Sequence, residues 1–165
     1  IFTRNVIISQ LTDNDFLHSI AKITIDITNI KMYVRARAIN KTEDFLKKLL
    51  LEGGEIPVSL YIENIEKPFE VIIEALRETR YKDIVKKAFE VYKEKRNVSA
   101  LEKLLDDYFM EFLQQAKWIT IGVEPFIAYL FAKETEIRNV RIIMTGKINN
   151  LPADLIRERL RLSYV

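Results

Sequence analysis

A Gly-Lys pair, one histidine and two adjacent aspartates are the residues whose types could do chemistry in this sequence. Gly146-Lys147, inside "IIMTGKINN" (142–150), invites comparison with a phosphate loop, where backbone amides and a lysine hold phosphates and a hydroxyl holds magnesium. Such a loop needs a glycine five residues before the Gly-Lys and a Ser or Thr after it. Arg141 and Ile148 occupy those positions, and the pair falls within an apolar-periodic helical stretch rather than after a strand. The four glycines cannot be assembled into a G-x-G-x-x-G either. His18 is the only histidine, so an imidazole-based metal site would depend on carboxylates that show no clustered spacing. Ser19, Ser59, Ser99 and Ser163 lack the setting and the base of a nucleophile. Asp106 and Asp107 project about 100° apart on a helix, which reads as a solvated polar face rather than an acid/base pair. The sequence predicts no catalytic residue, no cofactor and no metal ligand.

Composition bounds the rest. The 165 residues carry 26 Lys and Arg against 24 Asp and Glu, without the basic excess of a dedicated nucleic-acid binder. Cysteine is absent, so disulfides and thiolate sites are excluded. The longest apolar run, "FIAYLFA" (126–132), is far below the ~20 residues that span a bilayer.

The elements that must position these residues read as helices throughout. Leu101, Leu104, Leu105, Tyr108, Phe109, Phe112, Leu113 and Ala116 follow helical spacing over 99–117, with Ser99 as the expected N-cap. Long helices are expected over about 14–39 and 125–148, the latter with Tyr129, Ala132, Ile137, Val140, Ile143, Met144 and Ile148 near one face. Others are expected near 42–51, 57–65, 68–78, 81–95 and 152–161. Pro57, Pro68, Pro125 and Pro152 all fall where a helical pattern begins, and Gly53-Gly54 reads as a helix stop. The expected fold class is all-α.

The sequence also repeats itself. Shifted by 110 residues, "DITNIKMYVRARAIN" (26–40) lies over "EIRNVRIIMTGKINN" (136–150) without a gap. Asn29 meets Asn139, Ile27 meets Ile137, and Asn40 meets Asn150. The register runs into the next helix, where Leu46 meets Ile156 and Leu50 meets Leu160. A long helix, an Asn turn and a short helix in one register point to duplication. Gly146 then corresponds to Ala36, a small residue where another helix approaches closely. The expected organisation is tandem pseudo-repeated modules: residues 1–50 as the C-terminal part of a first, truncated module, and 51–165 as a second. That truncation, with no initiator Met, reads as a fragment of a longer protein.

At these residues the chain resembles a known family. "FIAYLFAKETEIRNVRIIMTGKINNLPADLIRERL" (126–160) is similar to the C-terminal signature of the C subunit of archaeal-type (A-type/V-type) ATP synthases, related to the vacuolar ATPase d subunit. "IDITNIKMYVRARAI" (25–39), followed by "LLLEGGEI" (49–56), resembles the preceding module of that family. The signature spans 124–160. The resemblance implies two of three similar helical modules, and a non-catalytic rotor subunit on the cytoplasmic side of the cell membrane. Its implied partners are the central shaft subunits and the membrane proteolipid ring, and it would touch the membrane only through them. It would transmit torque for ATP synthesis or hydrolysis coupled to proton or sodium transport. Lys31, Arg35 and Arg37 in the first copy, and Arg138, Arg141 and Lys147 in the second, fall within the family-like signature. They are expected either at a partner interface or as ion-paired helix faces.

Two other readings come from other classes. "RAR" (35–37) and "RERLR" (157–161) suggest a helical nucleic-acid-binding module, against which stand the near-neutral charge and Glu158 between two arginines. A generic helical protein-interaction scaffold is the other, although no repeat period of about 34–47 residues is present.

Overall fold

The computed structural model describes residues 13–95 and 97–164. Among them every regular element is helical: α1 (Asp15–Ala38), α2 (Glu43–Lys47), α3 (Val58–Glu63), α4 (Phe69–Ala75), α5 (Lys82–Lys95), α6 (Val98–Gln114), a 3-10 turn (Gln115–Trp118), α7 (Glu124–Ile148) and α8 (Ala153–Arg159). The chain forms two compact units, Ile1–Val98 and Ser99–Val165. Residues 51–95 therefore pack with α1, whereas the repeat register places a module boundary at 50/51. Residues 1–12 of the expected first module lie outside the described residues.

Local chemistry explains the helix ends. Asn14 caps α1, its side chain accepting from the Leu17 amide at 3.0 Å. Pro57, Pro68 and Pro152 are the caps of α3, α4 and α8, and Pro125 stands in the first turn of α7. Ser99, expected as a cap, lies inside the first turn of α6. The two long helices end alike. Asn40 and Asn150 adopt φ of 50° and 53°. Lys41 N–H donates to Ala36 O and Leu151 N–H to Gly146 O, each at 2.9 Å, the bonding of a Schellman stop with asparagine in the left-handed position.

In the first unit α1 is buried on most of its circumference, with Ile23, Tyr33 and Val34 sealed from solvent. The Tyr33 ring meets Tyr61 at 5.7 Å and Phe69 at 6.3 Å, and Phe69 meets Phe89 at 4.6 Å. This aromatic cluster ties α3, α4 and α5 to the long helix. Gly53-Gly54 lies several residues beyond α2, so it is not a helix stop. Its reason is at Asp26: a Cβ on Gly54 would stand 2.0 Å from Asp26 Oδ1.

In the second unit Leu101, Leu105, Met110 and Leu113 of α6 form the core with Ala116, and Phe109 meets Phe131 of α7 edge-on at 5.3 Å. α7 buries Ala128, Ala132 and Gly146. Gly146 fits because α8 crosses close by: a Cβ there would meet Ile156 Cγ1 at 2.7 Å. Small residues thus set the close approach, as expected for Gly146. Of the apolar residues expected near one face of α7, Tyr129, Ile137, Val140, Met144 and Ile148 are exposed.

Candidate partner interface

Two asparagines of the sequence echo make the same pair of hydrogen bonds. Asn29 in α1 donates through Nδ2 to Leu51 O at 2.8 Å and accepts from the Leu51 amide at 2.9 Å. Asn139 in α7 donates to Arg161 O at 2.9 Å and accepts from the Arg161 amide at 2.8 Å. Each asparagine therefore clamps one residue outside any helix, 22 positions on in both cases. A primary amide suits the task, because one side chain satisfies both the donor and the acceptor of a backbone with no helix to pair it.

Around each clamp the returning chain is fixed differently. In the first unit Asp26 is fully buried. It accepts from the Tyr81 hydroxyl at 2.7 Å, the Glu55 amide at 2.9 Å and the Ile56 amide at 3.1 Å. Burial raises the Asp26 carboxyl above its ordinary value, against the lowering effect of those three bonds. Tyr61 is also buried, and its hydroxyl has no hydrogen-bond partner among the described residues.

In the second unit the aspartates expected as a solvated face are engaged. Asp106 accepts from Arg161 Nε at 2.7 Å and from Arg138 at 3.3 Å, while Asp107 accepts from the Leu162 amide at 2.6 Å and from Lys103 at 3.0 Å. Lys103 also donates to Leu160 O at 2.6 Å, and Gln114 donates to Ser163 O at 3.0 Å. One face of α6 thus holds the segment 160–163. Adjacent carboxylates on a helix point apart, and here each takes a different part of that segment. The spacing of Asn139 and Arg161, copying that of Asn29 and Leu51, was the sequence signal for this clasp.

The six cations of the family-like signature divide. Arg37 is structural: its guanidinium lies 3.9 Å from the Phe69 ring centre and donates to the Tyr33 hydroxyl at 2.9 Å. Arg138 is exposed yet paired with Asp106. Lys31 is half-buried and Arg35 exposed on α1. Arg141 and Lys147 reach from α7 into solvent, and neither has an ion-pair partner among the described residues. Gly146-Lys147 stands in the last turn of α7, where backbone amides are spent within the helix. His18 is half-buried in α1. Among the described residues no group of three or more His, Cys, Asp or Glu could hold a metal. No helix there is long and apolar enough to cross a membrane.

The arrangement pins the chain segments that follow α2 and α8. Comparisons with known proteins give the family. The family model of the ATP synthase (C/AC39) subunit matches residues 4–159. The C subunit of a V-type sodium ATPase from Enterococcus hirae is 29% identical over 140 residues, 85% of this chain and 42% of that protein. The C subunit of an A-type ATP synthase from Methanobrevibacter smithii is 30% identical over 141 residues, 82% of this chain and 36% of that protein. Its namesake from Pyrococcus furiosus is 32% identical over 141 residues, 83% of this chain and 36% of that protein. The chain thus spans 36–42% of the length of these relatives. No solved structure matches the chain.

Proposed function

The chain belongs to the ATP synthase (C/AC39) subunit family, and on that premise we propose that it works as part of a non-catalytic rotor subunit of an A- or V-type ATPase. In this reading it links the central shaft to the membrane proteolipid ring on the cytoplasmic side of the cell membrane. Torque passes through it, coupling ATP synthesis or hydrolysis to proton or sodium transport. The observation that carries the reading is the family match over nearly the whole chain, residues 4–159. The packing is compatible with load-bearing. Helix ends are locked by Schellman stops, and the segments after α2 and α8 are pinned by paired asparagine bonds. The matched clamps and stops support duplication of one helical module across the 110-residue shift.

Within that role Arg37 and Arg138 serve their own unit, being spent on Phe69 and Asp106. Arg141 and Lys147 are the signature cations we assign to a partner-facing surface. The basic run 157–161 is poor material for binding nucleic acid: Arg157 pairs with Asp154 at 3.2 Å and Arg161 with Asp106 at 2.7 Å.

The test is a graft. This chain replaces the aligned 140 residues of the Enterococcus hirae protein, and the chimera is added to sodium ATPase complexes lacking that subunit. Recovery of ATP-driven sodium uptake into vesicles is expected. A folded chimera that binds neither shaft nor ring, and leaves uptake at the level of the depleted complex, overturns the proposal.

A further inference from the structure

The outward face of α7 carries an apolar stripe that the described residues leave uncovered. Phe126, Leu130, Ile137, Val140, Met144 and Ile148 are 63%, 40%, 60%, 55%, 58% and 77% exposed. Their steps of three, four and seven place them on one arc of the helix. Single exposed apolar residues are ordinary on a protein surface, but six on one arc, interrupted by Lys133 between Leu130 and Ile137, mark a place where something docks.

The first unit shows the same row in use. One repeat earlier in α1, Leu130 corresponds to Ile20, Ile137 to Ile27, Val140 to Ile30 and Met144 to Val34. Those four are 3%, 5%, 2% and 0% exposed. The rim corresponds too. Arg37, the counterpart of Lys147, lies over the Phe69 ring at the start of α4. In α7 Lys147 borders the stripe on one side and Arg141 on the other, and neither is ion-paired among the described residues. An apolar seam with a charged rim is the anatomy of a specific interface. A second copy of the stripe is a poor occupant, because pairing it with itself sets these cations against their own kind.

We propose that this stripe seats a helical layer built like α3–α5 (Val58–Lys95). That layer presents an apolar face, with an aromatic ring at its rim to meet Lys147 as Phe69 meets Arg37. It is contributed by the length of the family protein that this chain does not span, since the chain covers only 36–42% of its relatives. The inference rests on family membership and on the two copies of the helix, not on the rotor role.

The absence of cysteine from the chain makes a direct test available. Met144→Cys and, separately, Val140→Cys are introduced into the 165-residue chain and into the Enterococcus hirae chimera, with any cysteine of the relative replaced by serine. Maleimide labelling is timed in both. Labelling is expected to be fast in the isolated chain and at least about tenfold slower in the chimera, as for a site reached only by local opening. A photo-crosslinker at position 144 is expected to attach to the relative's portion of the chimera. A cysteine in the intact Enterococcus hirae protein, at its position aligned with Met144, gives a second measurement independent of how the graft folds, with protection expected there too. Equal labelling rates in chain and chimera sink the proposal, as does an unprotected cysteine in the intact relative. Protection that instead grows with concentration of the isolated chain overturns it in favour of a second copy. Sodium uptake is a separate readout, so a protected but non-pumping chimera tells against the rotor role alone.

Discussion

Asp26 receives three donors in a place that water does not reach. Tyr81 and Glu55 donate to Oδ2, and Ile56 donates to Oδ1. In Asp26→Asn, one of those oxygens becomes an NH2 group facing a donor, leaving at least one buried hydrogen bond unmade. A loss of about 2 kcal/mol is expected in urea unfolding. Because burial raises the folded-state pKa above the ordinary 3.8, the native state holds a proton where the unfolded chain has released it. The stabilisation is therefore complete below the unfolded value and fades as pH rises through the folded one. The gap between wild type and Asp26→Asn should narrow as unfolding is repeated upward from pH 4, and a gap that widens contradicts the assignment. Tyr61 is the opposite case, a buried hydroxyl without a partner among the described residues. Tyr61→Phe removes the orphaned group while keeping the ring against Tyr33, so stability should hold or rise by about 1 kcal/mol. A loss above that, in the same assay, means the hydroxyl has a bonded role.

At the scale of elements, α7 and α8 cross where Gly146 meets Ile156. Alanine gains about 1 kcal/mol of helix propensity over glycine. Here its Cβ would meet Ile156 Cγ1 at 2.7 Å and Cδ1 at 2.8 Å, and overpacking costs about 1–3 kcal/mol. Gly146→Ala should be net destabilising by about 1 kcal/mol. In an Ile156→Ala background, where only the Cβ at 3.7 Å remains, the same change should be favourable. Additive effects across that double-mutant cycle would show that the crossing is loose. The helix stops yield a paired test. Asn150, at φ 53°, should accept glycine within about 0.5 kcal/mol but lose about 1 kcal/mol as alanine, the cost of a Cβ in left-handed backbone. Much of this scale was legible in the sequence, because prolines at helix starts and 3.6-residue periodicity are local signals. The roles of Asp106, Asp107 and Gly54 were not. Each is set by a segment arriving from elsewhere: residues 160–162 for the aspartates, and Asp26 for the glycine. Whether the face of α7 is covered was not legible either, for a related reason. Its apolar arc is real, but periodicity does not say whether the covering layer is present.

For the molecule as a whole, one helix in two settings separates two levels of stability. α1 and α7 share their register, clamp and stop, yet Ile27, Ile30 and Val34 are core while Ile137, Val140 and Met144 face solvent. Burying a side chain of this size contributes about 1.5–3 kcal/mol, so a row of three leaves α7 several kcal/mol short of its counterpart's packing. The second unit's own core, Leu101, Leu105, Met110 and Leu113 with the small face of α7, does not replace that area. Native-state hydrogen exchange at rising urea should therefore find the amides of α7 opening at least about 2 kcal/mol below those of α1. In the chimera that fills the stripe, the α7 amides should move up toward the α1 level while those of α1 stay where they are. Equal protection of the two helices in the isolated chain would mean that the exposed row costs the second unit nothing. Its apolar character would then have no energetic claim on a partner.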